Sequence, residues 1–179
     1  MSYAVELYFD KAAENTVRSV WKALADAGVS TSMLDGISRP HITLGVCDEL
    51  GASFKDELAL FSRGIKPLAF NLSFIGSFNT IGGVMFFGPT PTDALFRLHA
   101  DFHVFFKKHA CRRWKHYLPE QWVPHCTLAF SLSSEQLQRA FSIAVDAPLP
   151  ITGSCAEIGL LSGVGVAEKE LVSYKMGAQ

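Results

Sequence analysis

One pentapeptide, written twice, constrains this chain more than any other feature. Pro40-His41-Ile42-Thr43-Leu44 returns 84 positions later as Pro124-His125-Cys126-Thr127-Leu128, about half of the 179 residues away. From this composition even one such pentad is expected by chance in only about one chain in a thousand, so a matched pair at half-chain spacing is a strong signal. Both pentads read as strands. Side-chain alternation then places His41, Thr43 and Gly45 on one face, and Ile42, Leu44 and Val46 on the other. In the second copy His125, Thr127 and Ala129 share a face, while Cys126, Leu128 and Phe130 turn to the core. The residue two after each Thr is small, Gly45 or Ala129, which predicts room for a ligand beside each His and Thr. Two halves packed about a pseudo-twofold axis bring the four polar side chains to one cleft.

The segments around the pentads alternate in type. Tyr3 to Phe9 is an apolar strand, and Asp10 caps a helix carrying Val17, Val20, Trp21 and Leu24 on one face until Gly28 stops it. A strand begins near Arg39, and Ser53 caps a helix with Phe54, Leu58 and Phe61 inward, ended by Gly64. Leu68–Phe78 and Gly83–Phe87 are strands joined through Gly82-Gly83. Thr92 caps a long helix with Leu95, Leu98, Phe102, Phe105 and Phe106, reaching about Ala110. A basic, aromatic loop leads to a strand from Trp122. Ser133 and Gln136 form a capping box for a helix with Leu137, Ala140, Phe141 and Ala144, and strands at Ile151–Leu161 and Val166–Met176 close the chain. Such mixing predicts α+β, with neither an all-α nor an all-β fold.

Composition narrows the function. The chain is 49% apolar and 18% charged, which excludes a disordered polyelectrolyte and suits one packed domain over residues 1–179. A net charge of −1 gives no global field for a long nucleic acid or an anionic membrane. No apolar run approaches a membrane span, and Glu6 and Asp10 stand where a signal peptide carries Lys or Arg. Cys47, Cys111, Cys126 and Cys155 are widely spaced, as expected for reduced thiols of a cytoplasmic protein.

Two imidazoles facing one cleft suit in-line phosphoryl chemistry, one neutral ring accepting a proton from the attacking oxygen and one protonated ring donating to the leaving oxygen. Histidine titrates near neutrality, and Thr hydroxyls can donate to non-bridging phosphate oxygens. No metal or other cofactor is needed for this. Paired H-x-T-L motifs in two βα halves resemble the two-histidine (2H) phosphoesterase superfamily, in particular its 2′-5′ RNA ligase-like and cyclic phosphodiesterase members. The resemblance spans the chain. It implies a bilobal pseudo-twofold fold, two mainly antiparallel sheets lining a central cleft with helices outside, and a single domain of two pseudo-symmetric lobes. It also implies metal-independent action on 2′,3′-cyclic phosphates of nucleosides or RNA ends by His41, Thr43, His125 and Thr127. The near symmetry of the halves leaves acid and base open; the family analogy favours His125 as base and His41 as acid. RNA ligase-like members often carry Arg five residues after the second His, where this chain has Phe130, which favours a smaller or differently held substrate; the chain is expected to act as a monomer. The alternatives are a 2′-5′ RNA linkage hydrolase or ligase, and a non-catalytic nucleotide- or RNA-binding module.

Other constellations are weaker. His99 and His103 stand one helical turn apart, but Ala100 occupies the zincin Glu position and no third ligand is evident, so they read as structural or solvent histidines. Asp48 has the wrong strand parity to join His41 on a metal, and Cys126 points away from His125. Lys107, Lys108, Arg112, Arg113 and Lys115 crowd the segment before the second motif, interleaved with Trp114, Tyr117 and Trp122. Arg112, Arg113, Lys115, Tyr117 and Trp122 are therefore candidates to hold phosphates and stack bases. The competing readings are cations placed at a helix C-terminus by its dipole, and Trp122 as a core anchor.

Overall fold

The computed structural model describes residues 1–80, 82–164 and 168–177, and its elements follow the expected order with one additional strand. β1 (Tyr3–Phe9) leads into α1 (Lys11–Asp26), where the amides of Ala12 and Ala13 donate to the Asp10 carboxylate. Then come β2 (His41–Leu50), α2 (Phe54–Gly64), β3 (Leu68–Phe78), β4 (Gly83–Pro89) and α3 (Asp93–Phe106). They are followed by β5 (Ala110–Arg113), a 3-10 turn at Lys115–Tyr117, β6 (Cys126–Leu132), α4 (Ser134–Ala144), β7 (Ile151–Ser162) and β8 (Lys169–Lys175). The Thr92 hydroxyl accepts from the Leu95 amide, both halves of the Ser133–Gln136 capping box are made, and Gly28 takes a φ of 65° after α1.

Three expectations about these elements need correction, and a fourth falls partly outside the described residues. Ser53 has helical backbone angles and makes no side-chain cap, so the first-turn acids Asp56 and Glu57 are what face the positive end of α2. The basic loop contains β5, which pairs along β2 with Arg113 opposite Cys47. The strand expected from Trp122 enters the ladder only at Cys126, because Pro124 has no N–H to give and Trp122 is turned inward. The expected start at Val166 lies outside the described residues, and β8 begins at Lys169.

Every strand pairing is antiparallel. The order is β5-β2-β1-β7-β3-β4-β6, with β8 also on β7. The two sheets expected are thus hydrogen-bonded into one through β7: Ile151–Cys155 pair with β3, while Cys155–Ser162 pair with β1. β2 and β6 stand toward opposite ends of this order, and the sheet curls until they approach each other. α1 packs on β7 and α4, α3 on β2, α2 on β8 and α4 on β4. Buried side chains from Val5 to Met176 form a continuous core in which Trp21, Phe54, Phe102 and Phe106 are almost fully enclosed. Each such ring contributes about 1.5–3 kcal/mol on burial. Cys47, Cys126 and Cys155 are buried free thiols and Cys111 an exposed one. Among the described residues no helix is long and apolar enough to cross a membrane.

Candidate active site

Both motif strands bulge at the same place. In the β1–β2 ladder Glu6 pairs with Thr43 and Val5 with Gly45, which leaves Leu44 without a partner. In the β4–β6 ladder Phe86 pairs with Thr127 and Met85 with Ala129, which leaves Leu128 without one. An extra residue inverts the side-chain alternation beyond it. Val46 and Phe130, three residues after each Thr, therefore line the cleft, and Phe130 is exposed instead of buried as expected. Gly45 and Ala129 turn away, so the expected room beside each Thr does not come from them. Ala129 is in the core, and a Cβ on Gly45 would lie 2.9 Å from Phe106 Cε1 and 3.0 Å from Phe102 Cε1. Its small size serves the approach of α3. Asp48 also regains the parity of His41, yet its carboxylate accepts from Trp114 Nε1 at 2.9 Å and from Arg112 Nε at 3.2 Å.

The two imidazoles are held alike. His41 Nδ1 donates to the Arg39 carbonyl at 2.6 Å, and His125 Nδ1 to the Val123 carbonyl at 2.7 Å. A carbonyl only accepts, so Nδ1 carries a proton in both rings and Nε2 is the nitrogen left for chemistry. Pro40 and Pro124 confine the preceding residues to extended backbone, which sets these carbonyls. The surroundings differ. His125 has the ring of Phe78 edge-on at 4.9 Å and Phe86 at 5.3 Å, and burial pushes its titration below the ordinary histidine range. His41 Nε2 instead lies 3.3 Å from Glu6 Oε1, a carboxyl that burial holds above the usual range. Cys126 is buried and its thiol is pushed up to about 12, which leaves it inert as a nucleophile.

The strand carbonyls beside the motifs are tied down by distant side chains. Trp21 Nε1 of α1 donates to the Thr127 carbonyl at 3.1 Å, and Trp122 Nε1 donates to the Thr43 carbonyl at 2.9 Å. The next carbonyl, Leu44, accepts from both His99 Nε2 and His103 Nε2 at 3.0 Å, and His99 stacks on Trp122 with centroids 3.7 Å apart. The two α3 histidines thus brace the bulge under Thr43. Burial lowers the titration of both, to about 3 for His99. The unfolded chain binds protons here that the folded chain refuses. Their stabilisation is therefore complete above about pH 6.5 and is lost as pH falls below it, through a window that for His99 extends down to about 3. The urea midpoint should fall on acidification with a contribution of up to about 1.4 kcal/mol per pH unit for each ring. His103→Asn should make that slope shallower, and an unchanged slope would rule out this source of acid lability.

His41, Thr43, His125 and Thr127 all line one cavity of about 690 Å³, with Glu6, Tyr117, Phe130 and the 32–38 loop. A second cavity of about 530 Å³ shares His125, Thr127, Tyr117 and Phe130 with it and adds Phe78, Trp114, His116 and Gln121. Of the basic and aromatic candidates, Tyr117 lines both. Arg112 instead pairs with Asp48 and Glu49, and Trp122 is a buried anchor. Arg113, Lys115, Arg112 and Trp122 line neither cavity. The charged side chains that do line the main cleft are Glu6, Asp35 and Glu168. Among the described residues no three His, Cys, Asp or Glu side chains group so as to hold a metal. Glu6 and the rings around His125 were not picked out from the sequence as site residues, although a lone acid inside the apolar strand Tyr3–Phe9 was a visible signal.

The family model for the 2′-5′ RNA ligase superfamily matches residues 10–167. The chain belongs to that superfamily, and its fold is that of the 2H phosphoesterases. No curated protein matches its sequence. Among solved structures, E. coli LigT complexed with 3′-AMP aligns over 98% of each chain with a TM-score of 0.61 at 16% identity. A structure of a phosphoesterase aligns over 98% of each chain at 0.55 and 17% identity. Kluyveromyces marxianus Usb1 aligns over 95% of this chain and 97% of its own, at 0.50 and 13% identity. At these identities the likeness is one of fold.

Proposed function

We propose that the protein is a metal-independent phosphodiesterase that opens nucleoside 2′,3′-cyclic phosphates with water. The observation that carries this reading is the pair of matched Nδ1–H bonds, which leave two Nε2 atoms and two Thr hydroxyls to one cavity. Water attacks phosphorus in line with the departing ribose oxygen. His125 Nε2 takes the water proton, His41 Nε2 gives a proton to the ribose oxygen as its bond to phosphorus breaks, and a nucleoside monophosphate results. The rings beside His125 favour its neutral form, which suits the base and leaves the acid to His41. Thr43 and Thr127 donate to the non-bridging oxygens. The adjoining cavity, with Phe78, Trp114, Tyr117 and Phe130, has the size and aromatic lining to take a nucleobase. LigT was solved with 3′-AMP, a nucleotide of the size proposed.

A cleft whose charged lining is acidic favours a monoanion over a polyanion, so a cyclic mononucleotide is the preferred substrate and an RNA end the secondary one. The test is a screen of cyclic nucleotides, 2′-5′ dinucleotides and RNA ends in EDTA. Cyclic mononucleotides should turn over at full rate under chelation, with a shallow dependence on salt. Activity that is lost in EDTA and restored by zinc or manganese would contradict the mechanism. Turnover confined to 2′-5′ linkages would instead select that chemistry, and binding with no turnover a binding module.

A further inference from the structure

Besides the rings packed against His125, the matched motifs differ in a carboxyl: His41 Nε2 has the buried Glu6 beside it, and among the described residues His125 has no ion-pair partner. We propose that Glu6 is a positioning residue that forms one proton-holding pair with His41, keeping on hand the proton that His41 delivers to the departing ribose oxygen. This rests on the hydrolase reading of the same site.

Glu6 is 5% exposed, lies in β1 between two fully buried residues, Val5 and Leu7, and is paired across the ladder with Thr43. Its Oε1 is 3.3 Å from His41 Nε2, and its Oε2 is buried with no hydrogen-bond partner. Because His41 Nδ1–H is committed to the Arg39 carbonyl, any proton between the ring and Glu6 sits on the Nε2 side. A lone buried carboxylate with one unpartnered oxygen is costly, and so is a lone imidazolium; one proton shared between them relieves both. The other groups that face Glu6 do not supply a cation. They are Tyr8 of its own strand, Tyr117 of the 3-10 turn, the buried Cys126 thiol of β6, and Glu168 and Glu170 at β8, the last two adding negative potential. Arg39 lies over the Tyr8 ring and pairs with Glu14 and Glu157.

The pair also answers a problem of charge. A phosphate entering a cleft lined by Glu6, Asp35 and Glu168 meets repulsion, and a Glu6–His41 pair that holds one proton adds no net charge to it. In the reaction that proton leaves Nε2 for the ribose oxygen, and the pair becomes an anion. It is restored by a proton from solvent, while His125 releases the one taken from water, so protons balance over the cycle.

The test compares wild type with Glu6→Gln, which keeps shape but cannot carry the charge, and Glu6→Asp, which keeps the acid on a shorter stem. Two readouts are needed: the pH dependence of kcat and KM for a 2′,3′-cyclic nucleotide, and an NMR titration of the His41 imidazole in the ligand-free protein. Glu6→Gln should lower kcat roughly 10- to 100-fold at neutral pH with KM unchanged or lower, and move the alkaline limb of kcat and the NMR midpoint to lower pH by about one unit or more. Glu6→Asp should recover part of each shift. A Glu6→Gln protein that loses thermal stability but keeps both the limb and the midpoint overturns the proposal and makes Glu6 structural. Wild type that never turns over a cyclic phosphate, while the midpoint still moves, overturns the hydrolase reading and the delivery step and leaves only the proton pair.

Discussion

His125→Ala and His41→Ala each lower kcat for a 2′,3′-cyclic nucleotide by roughly 10²- to 10⁴-fold, the usual worth of a positioned base or acid. Neither ring is a major part of the core, so the folded structure should survive both changes. Combining them should cost little more than either alone, because the two rings serve one step and their effects do not add. Thr43→Val and Thr127→Val should cost less, since each removes a single hydroxyl contact to phosphate. For wild type the rate should be bell-shaped in pH, with one ring neutral and the other protonated at the optimum. The apolar rings beside His125 give the base a physical reason to be neutral, which near-identical pentads alone do not supply.

The second large effect falls on stability. Trp122 is 6% exposed, stacks on His99 and holds the Thr43 carbonyl. Trp122→Ala should destabilise the protein by about 3–5 kcal/mol, from lost burial and the cavity it leaves. At this chain length that lowers Tm by roughly 6–20 °C. The same change leaves the Thr43 carbonyl and one face of His99 without their partner, so kcat should fall as well. Trp122→Phe keeps a ring, loses the N–H bond, and should cost only about 1–2 kcal/mol. A stacking platform for a nucleobase behaves in the opposite way: KM rises and Tm stays. Unfolding curves together with KM for the two variants distinguish these outcomes.

Much of this was legible in the pentads. β2 begins at His41 and β6 at Cys126, one residue after His125; Ile42 and Cys126 enter the core, and all four polar side chains line one cavity. What alternation missed follows from one residue per strand. The bulges at Leu44 and Leu128 invert everything downstream, so Gly45, Ala129, Phe130 and Asp48 all face the side opposite to the one expected. A bulge leaves no mark in a period of two until the ladder partners are known. The missing third ligand left His99 and His103 as structural or solvent histidines; that both are buried and meet one carbonyl under Thr43 depends on how α3 crosses β2. The basic segment is more dispersed than its composition suggests. β5 turns Arg112 toward Asp48 and Glu49, and Trp122 belongs to the core, while Tyr117 reaches the cleft. Glu6 stood in plain view as the one charge inside an apolar strand. Its partner is set by a ladder register that the sequence does not display.

The most direct measurement is turnover of a 2′,3′-cyclic nucleotide in ¹⁸O-labelled water with EDTA present, followed by ³¹P NMR. Water attack assisted by two histidines places one ¹⁸O in each nucleoside monophosphate formed, and the product forms at least about a hundredfold more slowly in the His41→Ala, His125→Ala double variant. Label-free product, or a double variant that keeps the wild-type rate, would contradict it.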